Sequence, residues 1–205
     1  SMFFASGILS TQQADISLMF SDINVIYLFL ASLLTMRLLA EEKNKKTDQL
    51  LLSSPVSITE IVLGKYFAAM AVFGVTILLS FIFPAIMFAF GEPSLSEVIG
   101  SYIGFVLLWG AFISIGVFIS SLTESQMIAG VFTFASLLLI YFVSWFEASV
   151  QNELAKKVID CFSLLSRYSD FQSGILNIEN IIYYLSFIFV ILFLTVRVIN
   201  KRRYS

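Results

Sequence analysis

A chain of 205 residues that is 59% hydrophobic and only 13% charged has too little polar side chain to solvate a water-soluble globule, so its composition excludes a soluble fold. Histidine is absent and cysteine occurs once, which excludes an intrachain disulfide and a Cys/His metal cluster. A net charge of −2 gives no reason to expect a nucleic-acid partner, and none is expected.

In chain order, residues 1–15 form a segment expected outside the membrane, with neither a basic stretch nor a long apolar one to carry it across. About 20 apolar residues suffice for a helix to cross a bilayer. Spans are expected over residues 16–36, with Asp22 near the start, and over 61–90, 98–122, 126–146 and 180–199, with Arg197 near the end. The predicted fold is therefore all-α: a polytopic transmembrane helix bundle, five spans in a single domain covering 1–205. A chain starting outside needs something to translocate its start, so one more N-terminal helix is expected, giving six.

Pro84 removes a backbone donor inside the second span and predicts a kink. Gly91, Pro93 and Ser94 form a short turn that makes the second and third spans neighbours. Ser57 with Glu60, Ser94 with Glu97 and Thr123 with Gln126 each have the spacing of a capping box at a span start. Small residues stand four apart at Gly100 and Gly104, Gly110 and Ser114, Gly116 and Ser120, and again at Ala129 and Thr133. They suit close helix packing within the bundle, a dimer seam or the wall of a translocation path.

Lys and Arg set the orientation. Arg37, Lys43, Lys45, Lys46, Lys65, Arg197, Lys201, Arg202 and Arg203 fall on one side of the alternating topology, against Lys156, Lys157 and Arg167 on the other. The first side is expected to be cytoplasmic, with the C-terminus.

The cytoplasmic loop over 37–60 contains Glu41, Glu42 and Lys43, then Thr47, Leu50, Leu51 and Leu52, and stops at Ser54-Pro55. It reads either as a connector lying on the head groups or as a docking knob, with the leucines as anchors and the charges around them. The external loop over 147–179 repeats Val150, Leu154, Val158, Phe162 and Leu165 at helical steps and predicts an amphipathic helix.

Met36-Arg37 to Glu42-Lys43, Thr47, Leu50-Leu51, Ser53-Ser54-Pro55-Val56 and Ile61-Val62-Leu63-Gly64-Lys65 resemble the first cytoplasmic loop of type-2 ATP-binding-cassette permeases, most closely the gliding-motility-type branch. Ser120-Ser121-Leu122-Thr123-Glu124-Ser125-Gln126 is similar to the second cytoplasmic loop of that branch. The resemblance implies a six-helix permease, here without its first helix, whose first loop forms the coupling helix to a separate ATPase. On that resemblance Glu41, Glu42, Lys43, Thr47, Leu50, Leu51 and Pro55 would couple to the ATPase, and Thr123, Glu124 and Gln126 would form the second loop. The external loop would re-enter the membrane near an outer gate. Lys46 stands where the branch usually has glycine, so a tight turn there is expected to be altered.

Energy must come from elsewhere. The three most apolar spans carry no ionisable residue at mid-membrane for an ion-driven cycle, and no GxxxxGK[ST] phosphate loop occurs. Without histidine or a paired set of intramembrane aspartates, enzymatic chemistry has no acid–base machinery. The expected function is the permease subunit of an ABC transporter in the cell inner membrane. ATP and magnesium would be held by the partner ATPase, no cofactor or metal by this chain, and a second permease copy or paralogue would complete the pathway. A membrane scaffold and an ion-coupled carrier are the alternatives.

Overall fold

Lipid leaves no water to bond an open backbone, and every regular element among the described residues is a helix, as expected for an all-α bundle. The computed structural model describes residues 16–47, 56–90, 94–147 and 164–203. Its helices are α1 (Ile16–Thr35), α2 (Ala40–Asn44), α3 (Ile58–Ser80), α4 (Ile82–Phe90), α5 (Leu95–Leu122), α6 (Gln126–Glu147), α7 (Leu164–Gln172) and α8 (Ile178–Arg203).

Among the described residues, four stretches are long and apolar enough to cross a membrane: Ile58–Ala89, Leu95–Leu122, Gln126–Val143 and Ile178–Lys201. The span expected over residues 16–36 coincides with the 20-residue α1, about 30 Å long at 1.5 Å per residue, which is not among these four. Burial separates the four sharply. The most apolar window of α5 is 72% buried against 17–22% for the other three, which leave most of their apolar surface exposed.

The second span is split at Phe81 into α3 and α4. Pro84 is the cause, since it has no N–H for the carbonyl of Ser80. The Tyr102 hydroxyl donates to that carbonyl at 3.0 Å and lies 3.0 Å from Ser80 Oγ.

The chain divides into two compact units. One comprises Ser1–Tyr27, Gly74–Leu108 and Ile140–Tyr184. Here the glycines of early α5 receive α7: a Cβ on Gly104 would lie 2.6 Å from Phe171 Cβ, and one on Gly100 would meet the Phe171 carbonyl and lie 3.3 Å from Gly174 Cα. Leu164, Tyr168 and Phe171 form the buried face of α7. Val150, Leu154, Val158 and Phe162 lie outside the described residues, and Leu165 is half-buried beside that face. Arg167 donates to Asn180 Oδ1 at 3.1 Å, Asn180 donates to Asp170 Oδ2 at 2.9 Å, and the Arg167 guanidinium sits 4.2 Å from the Tyr183 ring centre. A cation and an anion are thus bridged by a neutral amide, which ties α7 to the first turn of α8.

The other unit comprises Leu28–Phe73, Trp109–Leu139 and Leu185–Ser205. Phe73 stacks on Trp109 with ring centres 3.9 Å apart. Gly116 accepts the side chain of Thr35, and a Cβ on Gly110 would lie 2.8 Å from the Tyr66 hydroxyl. Ser114 is fully buried and returns its hydroxyl to the Ala111 carbonyl at 2.7 Å. Gly110 and Gly116 thus each admit a side chain from another helix of the same chain.

Candidate functional site

The polar cluster of the second unit forms where α1 ends. Thr35 Oγ1 donates to the Ala31 carbonyl at 2.8 Å, and the chain turns through Met36 N–H to Ser32 O (3.0 Å) and Leu38 N–H to Thr35 O (3.2 Å). The five-residue α2 follows, too short to persist alone. Its N-cap position is Leu39, which has no side-chain acceptor for the first free N–H groups.

Ser120, at the end of α5, supplies that acceptor. Its Oγ accepts from Leu39 N–H at 3.1 Å and Ala40 N–H at 3.0 Å, and reaches the Met36 carbonyl at 3.4 Å. Lys43 Nζ donates to the Ser121 carbonyl, and Asn44 Nδ2 donates to the Glu124 carbonyl at 3.3 Å. On its other side α2 is tied to α3 by the ion pair of Glu42 with Lys65, both about a quarter exposed. Glu41 pairs with Lys45 one turn on at 2.6 Å. That bond from Lys45, reinforced by the charges of Lys45, Arg37 and Lys65, holds the Glu41 carboxyl below its ordinary pKa.

The helix closes on Lys46, whose φ of 56° lies in the left-handed region. Lys46 N–H bonds Lys43 O at 3.1 Å and Thr47 N–H bonds Glu42 O at 3.0 Å. This is the paired closure that glycine usually makes at a helix end. Gly174 (φ 74°) makes the same closure after α7, with bonds of 3.0 Å from Gly174 N–H to Phe171 O and from Ile175 N–H to Asp170 O. The tight turn is therefore kept despite the lysine, because the two bonds hold it, at a cost of about 1 kcal/mol in backbone strain.

Glu41, Glu42, Lys43 and Thr47 are thus gathered on one element, and Leu50, Leu51 and Pro55 lie outside the described residues. In the second loop Glu124 offers its carbonyl to Asn44, while Thr123 Oγ1 accepts from Ser125 N–H at 3.2 Å. Gln126 opens α6, but the cap is Ser125, whose Oγ faces Ile128 N–H at 3.5 Å. The capping box expected at Thr123 is corrected to that extent: two residues on, Ser125 occupies the position that reaches the third following N–H. The Ser57–Glu60 box forms in full, with bonds of 2.9 and 3.2 Å.

Sequence reasoning did not single out Arg37, Lys45 or Lys65 for this site. With Leu38, Glu41, Glu42 and Thr47 they line an open cavity of about 460 Å³. The i,i+4 spacing of Glu41 and Lys45 was a usable signal; nothing local announces Lys65 as the partner of Glu42.

The arrangement joins a short helix by hydrogen bonds and an ion pair to α3 on one side and α5 on the other, while leaving much of its own surface open. Such an element can pass a displacement from outside into two membrane helices. A family model described as ABC-2 family transporter protein matches residues 2–203. The chain belongs to the ABC-2 transporter family. As a member it is a multi-pass membrane protein of the permease class, the membrane component of an ABC transporter and not its catalytic ATPase. No curated protein and no solved structure matches this ABC-2 chain.

Proposed function

We propose that the chain is the permease subunit of an ABC transporter of the gliding-motility-type branch, in the cell inner membrane with its C-terminus cytoplasmic, and that α2 is its coupling helix. A separately encoded ATPase binds ATP and magnesium and pushes on α2. Force then passes through Glu42 and Lys65 into α3, and through Ser120, Lys43 and Asn44 into α5. A second permease copy or paralogue completes the pathway across the bilayer.

The observation that carries this reading is the double tether of α2. A loop serving only as a connector needs no bonds into two membrane helices. In an ABC-2 family member the same bonds give a rigid handle at the place where a driving subunit must grip. The basic character of this side of the chain supports its cytoplasmic placement.

Co-expression with its ABC ATPase tests the proposal. Glu41→Lys combined with Glu42→Lys is expected to lower ATPase association or the coupling of hydrolysis to the permease, with helix content unchanged. A scaffold would leave hydrolysis in the complex insensitive to these changes, and an ion-coupled carrier would run without the ATPase and stop when a protonophore is added.

A further inference from the structure

Among the charges around the cavity, Glu41 is engaged by Lys45 and Glu42 by Lys65. Arg37 lines the same cavity and has no hydrogen-bond or ion-pair partner among the described residues. Three cations against two carboxylates leave the lining with an excess positive charge, and Arg37 brings to it a guanidinium with a planar fork of donors.

The depth of the cavity narrows its ligand. Arg37 stands two residues after the last residue of α1, and Lys65 immediately precedes the charge-free run that starts at Tyr66. Both cations therefore sit at the edge of the hydrocarbon, at head-group level. The preceding turns of α1 leading to Arg37 expose Leu33 and Leu30, and the next turns of α3 beyond Lys65 expose Ala68 and Val72. Each cation thus stands at the polar end of an exposed apolar face. A ligand that matches both features has an anionic phosphate head and acyl chains.

We infer that the cavity lined by Arg37, Lys45 and Lys65 binds the head-group phosphate of one anionic phospholipid from the leaflet on its own side, with the acyl chains along the exposed faces of α1 and α3. The Arg37 guanidinium takes the phosphate oxygens in a forked pair of bonds. Basic pockets between membrane helices hold anionic head groups in this way. The cavity shares Glu41, Glu42 and Thr47 with the element proposed to meet the ATPase, but lipid retention is read on the chain alone and does not depend on the coupling proposal.

Native mass spectrometry of the full chain in detergent, titrated with dioleoylphosphatidylglycerol and separately with dioleoylphosphatidylcholine, tests this. Selective retention of phosphatidylglycerol is expected, with Arg37→Gln weakening it about fivefold. Lys45→Gln should weaken it in the same direction, and Lys201→Gln, away from the cavity, should leave it unchanged. Equal retention of both lipids, or full retention of phosphatidylglycerol by Arg37→Gln, would overturn the inference. Displacement of the lipid by inorganic phosphate at similar concentration would make this a free-anion site instead. Unchanged lipid retention by Arg37→Gln with impaired ATPase association would assign the guanidinium to an acidic segment of the partner, which also overturns it.

Discussion

The Tyr102 hydroxyl donates to the Ser80 carbonyl at 3.0 Å, taking the place of the N–H that Pro84 lacks. A kink in a membrane helix frees a carbonyl that lipid cannot satisfy, and here a side chain from α5 satisfies it. The Phe81 ring stacks on the same tyrosine at 4.7 Å, so one residue both fills the break and pays its polar cost.

Tyr102→Phe keeps the stacking but orphans the Ser80 carbonyl, and should cost about 1–3 kcal/mol. Pro84→Ala restores the missing N–H, so the same Tyr102→Phe change should cost clearly less in that background. Thermal unfolding in detergent of the four proteins gives the coupling; equal costs in both backgrounds would show that the hydroxyl does not serve the proline break.

Lys46 adopts a positive φ that suits glycine, as Gly174 shows in the matching closure after α7. Lys46→Gly should therefore stabilise the chain by about 1 kcal/mol, and Lys46→Val should destabilise it, both read as shifts in thermal midpoint.

Glycines with different surroundings should respond in opposite directions to alanine. A Cβ on Gly116 would run into the branched stem of Thr35, and Gly116→Ala should cost about 1–3 kcal/mol. Nothing lies within 4 Å of a Cβ on Gly64 or Gly74, where alanine should instead add about 0.5–1 kcal/mol through helix propensity. Unfolding midpoints of the three variants check the sign at each position.

The Glu41 carboxyl is held below its ordinary pKa by Lys45. A depressed folded pKa means that the pair contributes at pH values above the unfolded carboxyl's pKa, and that this contribution is lost as pH falls through the folded value. Carbon-13 titration of Glu41 should show a midpoint below 4.5, moving up in Lys45→Met. An unmoved midpoint in the variant would remove Lys45 as the cause.

Much of the fold is legible in the sequence because membrane helices are written in long local patterns. The charge-free runs, the break at Pro84 and the Ser57–Glu60 box all depend on residues within a few positions of one another. The site is less legible because its bonds are distant. Ser120 reads as a small packing residue, and its service to Leu39 and Ala40 depends on a contact across 80 positions. Lys46 shows the opposite limit: its side chain argues against a left-handed turn, and the paired bonds at Lys43 and Glu42 override that preference. At Thr123 the sequence offers the right chemistry two residues early, since Thr-Glu-Ser-Gln carries two hydroxyls and only the register of α6 selects Ser125.

The most direct measurement is association of the purified full chain with its co-expressed ABC ATPase, compared with a variant in which residues 40–47 are replaced by a Gly-Ser linker of equal length. A stable complex is expected with the unmodified chain and loss of the ATPase from the linker variant, with the helical circular-dichroism signal of the bundle retained. Equal capture of the ATPase by both chains would contradict it.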